Sequence, residues 1–94
     1  MNLPTLDEYR QRQLQNGFDE VAERQWGPNE SAATHTHGFS VEALVVQGEM
    51  WLTCGNETQH LKPGDSFNMK SGVPHSERYG NHGATYWAAR KHDH

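Results

Sequence analysis

The pattern of apolar and polar positions changes character near residue 18. Before it, Leu6 to Asn16 is rich in Glu, Arg, Gln and Leu, and Thr5 with Glu8 has capping-box spacing. The pattern predicts a short helix that Gly17 terminates. With few apolar residues, that helix belongs on the outside of the molecule or on a neighbouring subunit and is not expected to contribute to a site. From Phe18 onward, glycines at 48, 55, 64, 72 and 80 separate short runs that contain Val, Leu, Trp, Phe and Tyr. Such punctuation predicts short strands joined by tight turns. Ala43 to Val46 reads as a buried strand, and Glu49 to Cys54, Gly55-Asn56 and Glu57 to Leu61 read as a hairpin. Pro63-Gly64 has the order of a type II turn, with glycine supplying the positive φ. Ala84 to Arg90 is the expected last strand, with a frayed tail after it. The organisation expected is a helical extension over 1–17 and one all-β domain over 18–94, with no repeat, linker or low-complexity segment.

Composition narrows this reading. With 94 residues, 33% of them hydrophobic, the core must be thin, and a homodimer is expected to supplement it. The net charge of −4 comes from acidic and basic residues mixed along the chain, so there is no basic footprint of a nucleic-acid binder. No apolar run is long enough to span a bilayer, and Met1 to Arg12 is polar where a signal peptide needs an apolar stretch. A soluble cytoplasmic protein is expected, without nucleic-acid or membrane partners. Cys54 has no second cysteine to pair with and reads as structurally incidental.

The candidate chemistry lies in the histidines. His35 and His37 alternate with Thr34 and Thr36, so on a strand they project from one face about 7 Å apart. Alone this is a weak signal, since seven histidines in 94 residues make such pairs by chance, and His92 with His94 is another. Further on, Pro63-Gly64-Asp65 opens a stretch that runs through Phe67 and Met69 to Ser71-Gly72-Val73-Pro74-His75.

Together these segments resemble the two motifs of the cupin superfamily. His35, His37 and Gly48 fall on the first motif, and Gly64, Gly72 and His75 on the second with the right mutual spacing; the resemblance covers Phe18 to Lys91. It implies an all-β, cupin-type double-stranded β-helix, a jelly-roll barrel preceded by the short helix. It also implies a divalent transition metal (Zn, Fe, Ni, Mn or Cu) on His35, His37 and His75. The departures are specific. Asn29, Lys70 and Tyr79 replace a glycine, a proline and an asparagine of the motifs. Counting from Gly48 puts Val41 at the position of the family's carboxylate ligand, whereas counting from His37 allows Glu42. A one-residue shift on a strand reverses the face, so Glu42 is expected to point outward and the site to hold three histidines only.

Glu77 is two residues from His75 and shares its face, which makes it the candidate catalytic group. It is read as a fourth ligand, a partner orienting His75, or a general acid or base. The competing reading is an ion pair with Arg78 or Arg90. Phe39, Tyr79, Met69, Trp51, Tyr86 and Trp87 are the candidate pocket walls, about half of them facing away. The function expected is that of a metal-dependent enzyme, oxygenase or isomerase in type, acting on a small oxygenated molecule. The alternative is a non-catalytic binding or sensing module that uses the same pocket.

Overall fold

The computed structural model describes residues 3–92. Helix α1 (Leu6–Gln15) begins at the expected capping box: the Glu8 amide donates to the Thr5 hydroxyl, and the Glu8 carboxylate accepts from the Thr5 amide. It ends at Asn16, with Gly17 at φ 94°. One face of α1 lies on the outside of the sheet. Buried Tyr9 sits 5.8 Å, ring to ring, from Trp87, and its hydroxyl donates to the Glu42 carbonyl at 3.0 Å.

The strands are β1 (Glu20–Trp26), β2 (Ser31–His35), β3 (Phe39–Cys54), β4 (Glu57–Leu61), β5 (Ser66–Met69) and β6 (His75–His92). All pairings are antiparallel. Two strands, β3 and β6, are long enough to serve both faces. The first half of β3 lies between β5 and the second half of β6, which in turn pairs with β1. The second half of β3 lies between β4 and the first half of β6, which pairs with β2. The core between the faces contains Val41, Ala43, Val45, Met50, Leu52, Phe67 and Tyr79.

Several expectations hold. The hairpin turns at Gly55-Asn56 between β3 and β4. At Pro63-Gly64 the Asp65 amide donates to the Lys62 carbonyl at 2.9 Å and Gly64 has φ 95°, as a type II turn requires. Cys54 packs, partly buried, against the core, and burial raises its thiol pKa.

Others are corrected. Ala43–Val46 and Glu49–Cys54 are not separate strands but parts of β3, and Gly48 between them is not a turn. Gly80 is likewise inside a strand. The last strand starts at His75, nine residues before the expected Ala84, and Lys91 and His92 pair with Ser40 and Phe39 instead of fraying. Asp93 and His94, the rest of the expected tail, lie outside the described residues.

The cause is a crossing of two glycines. Gly48 has φ 73° and Gly83 φ 68°, a region where residues with a Cβ are strained. The register slips beside Gly48 in the β3–β6 ladder. Core positions on β3 are odd up to Val45 and even from Met50, and on β6 the core row passes from Tyr79 to Ala84, Tyr86 and Ala88, with Trp87 and Ala89 buried at the alternate positions. Each strand therefore changes parity and still keeps its apolar row inward, as a bulge allows. No helix among the described residues is long and apolar enough to cross a membrane.

Candidate metal centre and its pocket

His35 is the last residue of β2 and stands directly opposite His75, the first residue of β6. Cross-strand partners hold their side chains side by side, and the two imidazole centroids are 4.3 Å apart. The pairing register shifts between Ala32 and His35, and β2 stops at His35. His37 is therefore not on the strand, contrary to the same-face expectation. It belongs to the connection into β3, and its carbonyl accepts from the Gly72 amide at 2.9 Å. That bond ties this connection to the turn that leads into His75. The His37 ring lies 4.7 Å from His35 and 5.0 Å from His75, stacked on Phe39. Leaving the strand brings the rings closer than strand geometry would. One ligand atom from each of His35, His37 and His75 lies within 4.8 Å of the others.

Hydrogen bonding prepares the nitrogens. Nδ1 of His35 is 2.6 Å from the Ala33 carbonyl and Nδ1 of His75 is 2.9 Å from that of Val73. A carbonyl only accepts, so each Nδ1 carries the proton and each Nε2 keeps a lone pair. The Nε2 of His75 is buried and has no partner in the protein. Fixing the tautomer through the far nitrogen is the usual support of a metal-binding imidazole. Burial, reinforced by the charges of His35 and His75 and then Arg90 and Arg24, lowers the His37 pKa and favours its neutral form. Three converging imidazoles, one of them with an orphaned Nε2, fit a first-row divalent ion.

Glu77 points inward on the face of His75, only 7% exposed. Its Oε2 lies 3.6 Å from His35 Nε2 and is buried without a hydrogen-bond partner, while Oε1 accepts from the Tyr79 hydroxyl at 3.5 Å. The alternative ion pairs do not form: Arg78 lies over the Trp51 ring, and Arg90 pairs with Glu20 at 3.2 Å. Burial raises the pKa of Tyr79 and of Tyr86, so both phenols remain protonated donors.

A cavity of about 110 Å³ opens beside these groups. His35, His37 and Glu77 line it together with Phe39, Met69 and Tyr86 from the expected walls. The remaining candidates face elsewhere: Tyr79 stacks on Trp26 in the interior, Trp51 on His60 outside, and Trp87 packs under α1. Val41 lines the cavity whereas Glu42 faces α1, so the count from Gly48 is the correct one. Glu42→Gln is therefore expected to leave metal content within error of wild type by elemental analysis; loss of the ion would mean that β3 rotates when metal binds. Sequence reasoning missed Arg24, Trp26 and Arg90 as lining residues. The available signal was the alternation of Arg24 with Trp26, and of Tyr86, Ala88 and Arg90, on one face of paired strands.

The chain is similar to proteins of several kinds. A transcriptional regulator of the HTH type from Haemophilus influenzae, itself uncharacterized, is 43% identical over 42 residues, which are 45% of this chain and 14% of the regulator. KdgF from Halomonas sp. superposes with a TM-score of 0.71 at 17% identity, over 80% of this chain and 69% of that one. DMSP lyase DddQ from Ruegeria pomeroyi DSS-3 superposes with a TM-score of 0.73 at 20% identity, over 79% of this chain and 38% of the lyase. At these identities the structural likeness is one of fold. The family model described as cupin domain matches residues 23–87, and the chain belongs to the cupin family.

Proposed function

We propose that His35, His37 and His75 hold one divalent transition-metal ion and that the chain is a metal-dependent enzyme, oxygenase or isomerase in type, acting on a small oxygenated molecule. The observation that supports this most is the combination of the converging imidazoles with Glu77, whose buried Oε2 has no partner. Zinc, iron, nickel, manganese and copper all suit three imidazoles. An ion held by these residues would supply a Lewis acid for substrate oxygens. The rest is work for the protein. The Nδ1–H bonds of His35 and His75 orient the ligands, and Phe39 and Met69 exclude water from one wall. Glu77 accepts or returns a proton at Oε2, within reach of a molecule in the cavity.

The similarity to a transcriptional regulator favours a second reading, a binding module that senses the same ligand without turning it over. One experiment separates the two. Protein purified without added metal is analysed for its ions, loaded, and screened with small oxygenated compounds under oxygen and under nitrogen. An enzyme is expected to consume one of them, and Glu77→Gln should keep the metal yet reduce turnover roughly 10²- to 10⁴-fold, the usual worth of a positioned acid or base. Saturable binding with no turnover under either gas establishes the sensor. A homodimer is the assembly expected of so thin a core, and light scattering at rising concentration tests it.

A further inference from the structure

Two guanidinium groups share the cavity wall with the imidazoles. Arg24 comes from β1 and Arg90 from β6, and both line the space that His35, His37 and Glu77 line. Each lies against an aromatic ring: the Arg24 guanidinium carbon is 5.4 Å from the Trp26 centroid, and that of Arg90 is 5.0 Å from Phe39. A guanidinium laid on a ring keeps its N–H edge free to donate while its orientation is limited. Among the described residues no carboxylate pairs with Arg24. Arg90 gives one nitrogen to Glu20 at 3.2 Å, but its Nε–H is buried and has no partner. An unpaired buried donor beside a cavity is a costly arrangement unless something that accepts hydrogen bonds enters.

The charges point the same way. Two arginines and one acid, Glu77, line the cavity and Glu20 offsets Arg90 from outside it, so the excess positive charge there would be that of a divalent ion on the histidines beside Arg24. A neutral ligand would leave that excess unbalanced, whereas a carboxylate matches the guanidinium fork in both charge and geometry. Size restricts the class further. The cavity is about 110 Å³, somewhat smaller than the roughly 150 Å³ space known to take up a benzene ring in another protein.

We propose that Arg24 and Arg90 form a carboxylate-binding subsite, and that the ligand is a small carboxylate whose second oxygen faces the histidines. The proposal builds on the reading of His35, His37 and His75 as a metal centre. An aliphatic acid of three carbons with an oxygen next to the carboxylate has the right size and both recognition groups.

The test is calorimetric titration of the metal-loaded full chain with lactate and pyruvate, and with their neutral amides. At least one acid is expected to bind saturably in the millimolar range or better, with its amide at least about tenfold weaker. Arg24→Gln and Arg90→Gln should each weaken the acid by about 10- to 100-fold while metal content stays at the wild-type level. Arg90→Gln also loses the Glu20 contact, so Arg24→Gln, which breaks no ion pair, decides the matter if the former misfolds. The proposal is overturned if neither acid binds, if amides bind as well as acids, or if Arg24→Gln titrates like wild type. Elemental analysis of the same samples keeps the two readings apart: a wild type without metal that still binds the acid through Arg24 retains the subsite and refutes the metal centre.

Discussion

Replacing His35, His37 or His75 by alanine, one at a time, is expected to abolish binding at the proposed metal centre and leave the barrel folded. Changing a group that merely orients a ligand commonly costs 10- to 100-fold in affinity, so removing one of three ligands should cost roughly a hundredfold or more. His60→Ala is the control, because its ring stacks on Trp51 and its Nε2 meets Glu49 at 2.8 Å, outside the cavity. The metal dependence on pH has a definite sign. Each imidazole must be neutral to bind, so affinity falls as pH drops below about 6.5. His37 is held below its ordinary value of 6.5, chiefly by burial. Its proton therefore competes only under that pH. In the metal-free protein the unfolded chain takes up this proton before the folded one does. The stability tied to His37 is complete above about 6.5 and is lost as pH falls through its lowered value. Zinc or nickel titration of the variants, with circular dichroism as the check on folding, measures both effects. Equal affinity in wild type and His75→Ala would refute the site.

Those three histidines could be identified because their spacing with Gly48, Gly64 and Gly72 resembles the two cupin motifs; His35 and His37, separated by one residue, are a weak signal alone. The capping box at Thr5 and Glu8 and the Gly55-Asn56 hairpin are legible because their signals are local. What escaped depends on register between distant strands. Arg24 faces the cavity because it pairs opposite Tyr86; its alternation with Trp26 shows a shared face but not which way that face looks. The extent of β3 escaped for a related reason. Strict alternation is the signature of an uninterrupted strand, and Gly48 breaks the alternation while leaving the hydrogen-bonded ladder to resume. Read along the chain, it looks like an end. His37 was placed on the correct side for the wrong reason, since the chain has already left β2 there.

Gly48→Ala should be severely damaging for a change of a single methyl group. The residue already needs φ 73°, which costs a residue with a Cβ about 1–2 kcal/mol. The new carbon would also meet the Gly83 carbonyl and the Ala84 Cα, both of them backbone that cannot swing aside. A total loss of about 4 kcal/mol or more is expected, among the exceptional values for point mutants. Since a domain of this size has roughly 5–15 kcal/mol to lose, a largely unfolded or insoluble product is the expected result. Gly38→Ala is the matched control. It lies next to His37, has open space around its would-be Cβ and no positive φ, so urea denaturation should place it within about 1 kcal/mol of wild type. If Gly48→Ala denatures at the same midpoint as the control, the two strands can separate at the crossing and its tightness is not essential.

The position of β6 in the ladder has a consequence for how the protein comes into being on the ribosome. β4 and β5 follow β3 and can join it as they emerge, but among the described residues β1 and β2 pair with no strand except β6. β1 and β2 must therefore wait, unpartnered, for β6. Long-range pairing of this kind is slow and exposes edges in the interval. His35 and His37 are synthesised long before His75, so the three-imidazole set does not exist in the nascent chain. On the proposed metal centre, an ion would be captured only as β6 docks, and would then secure a closure it had no means of starting.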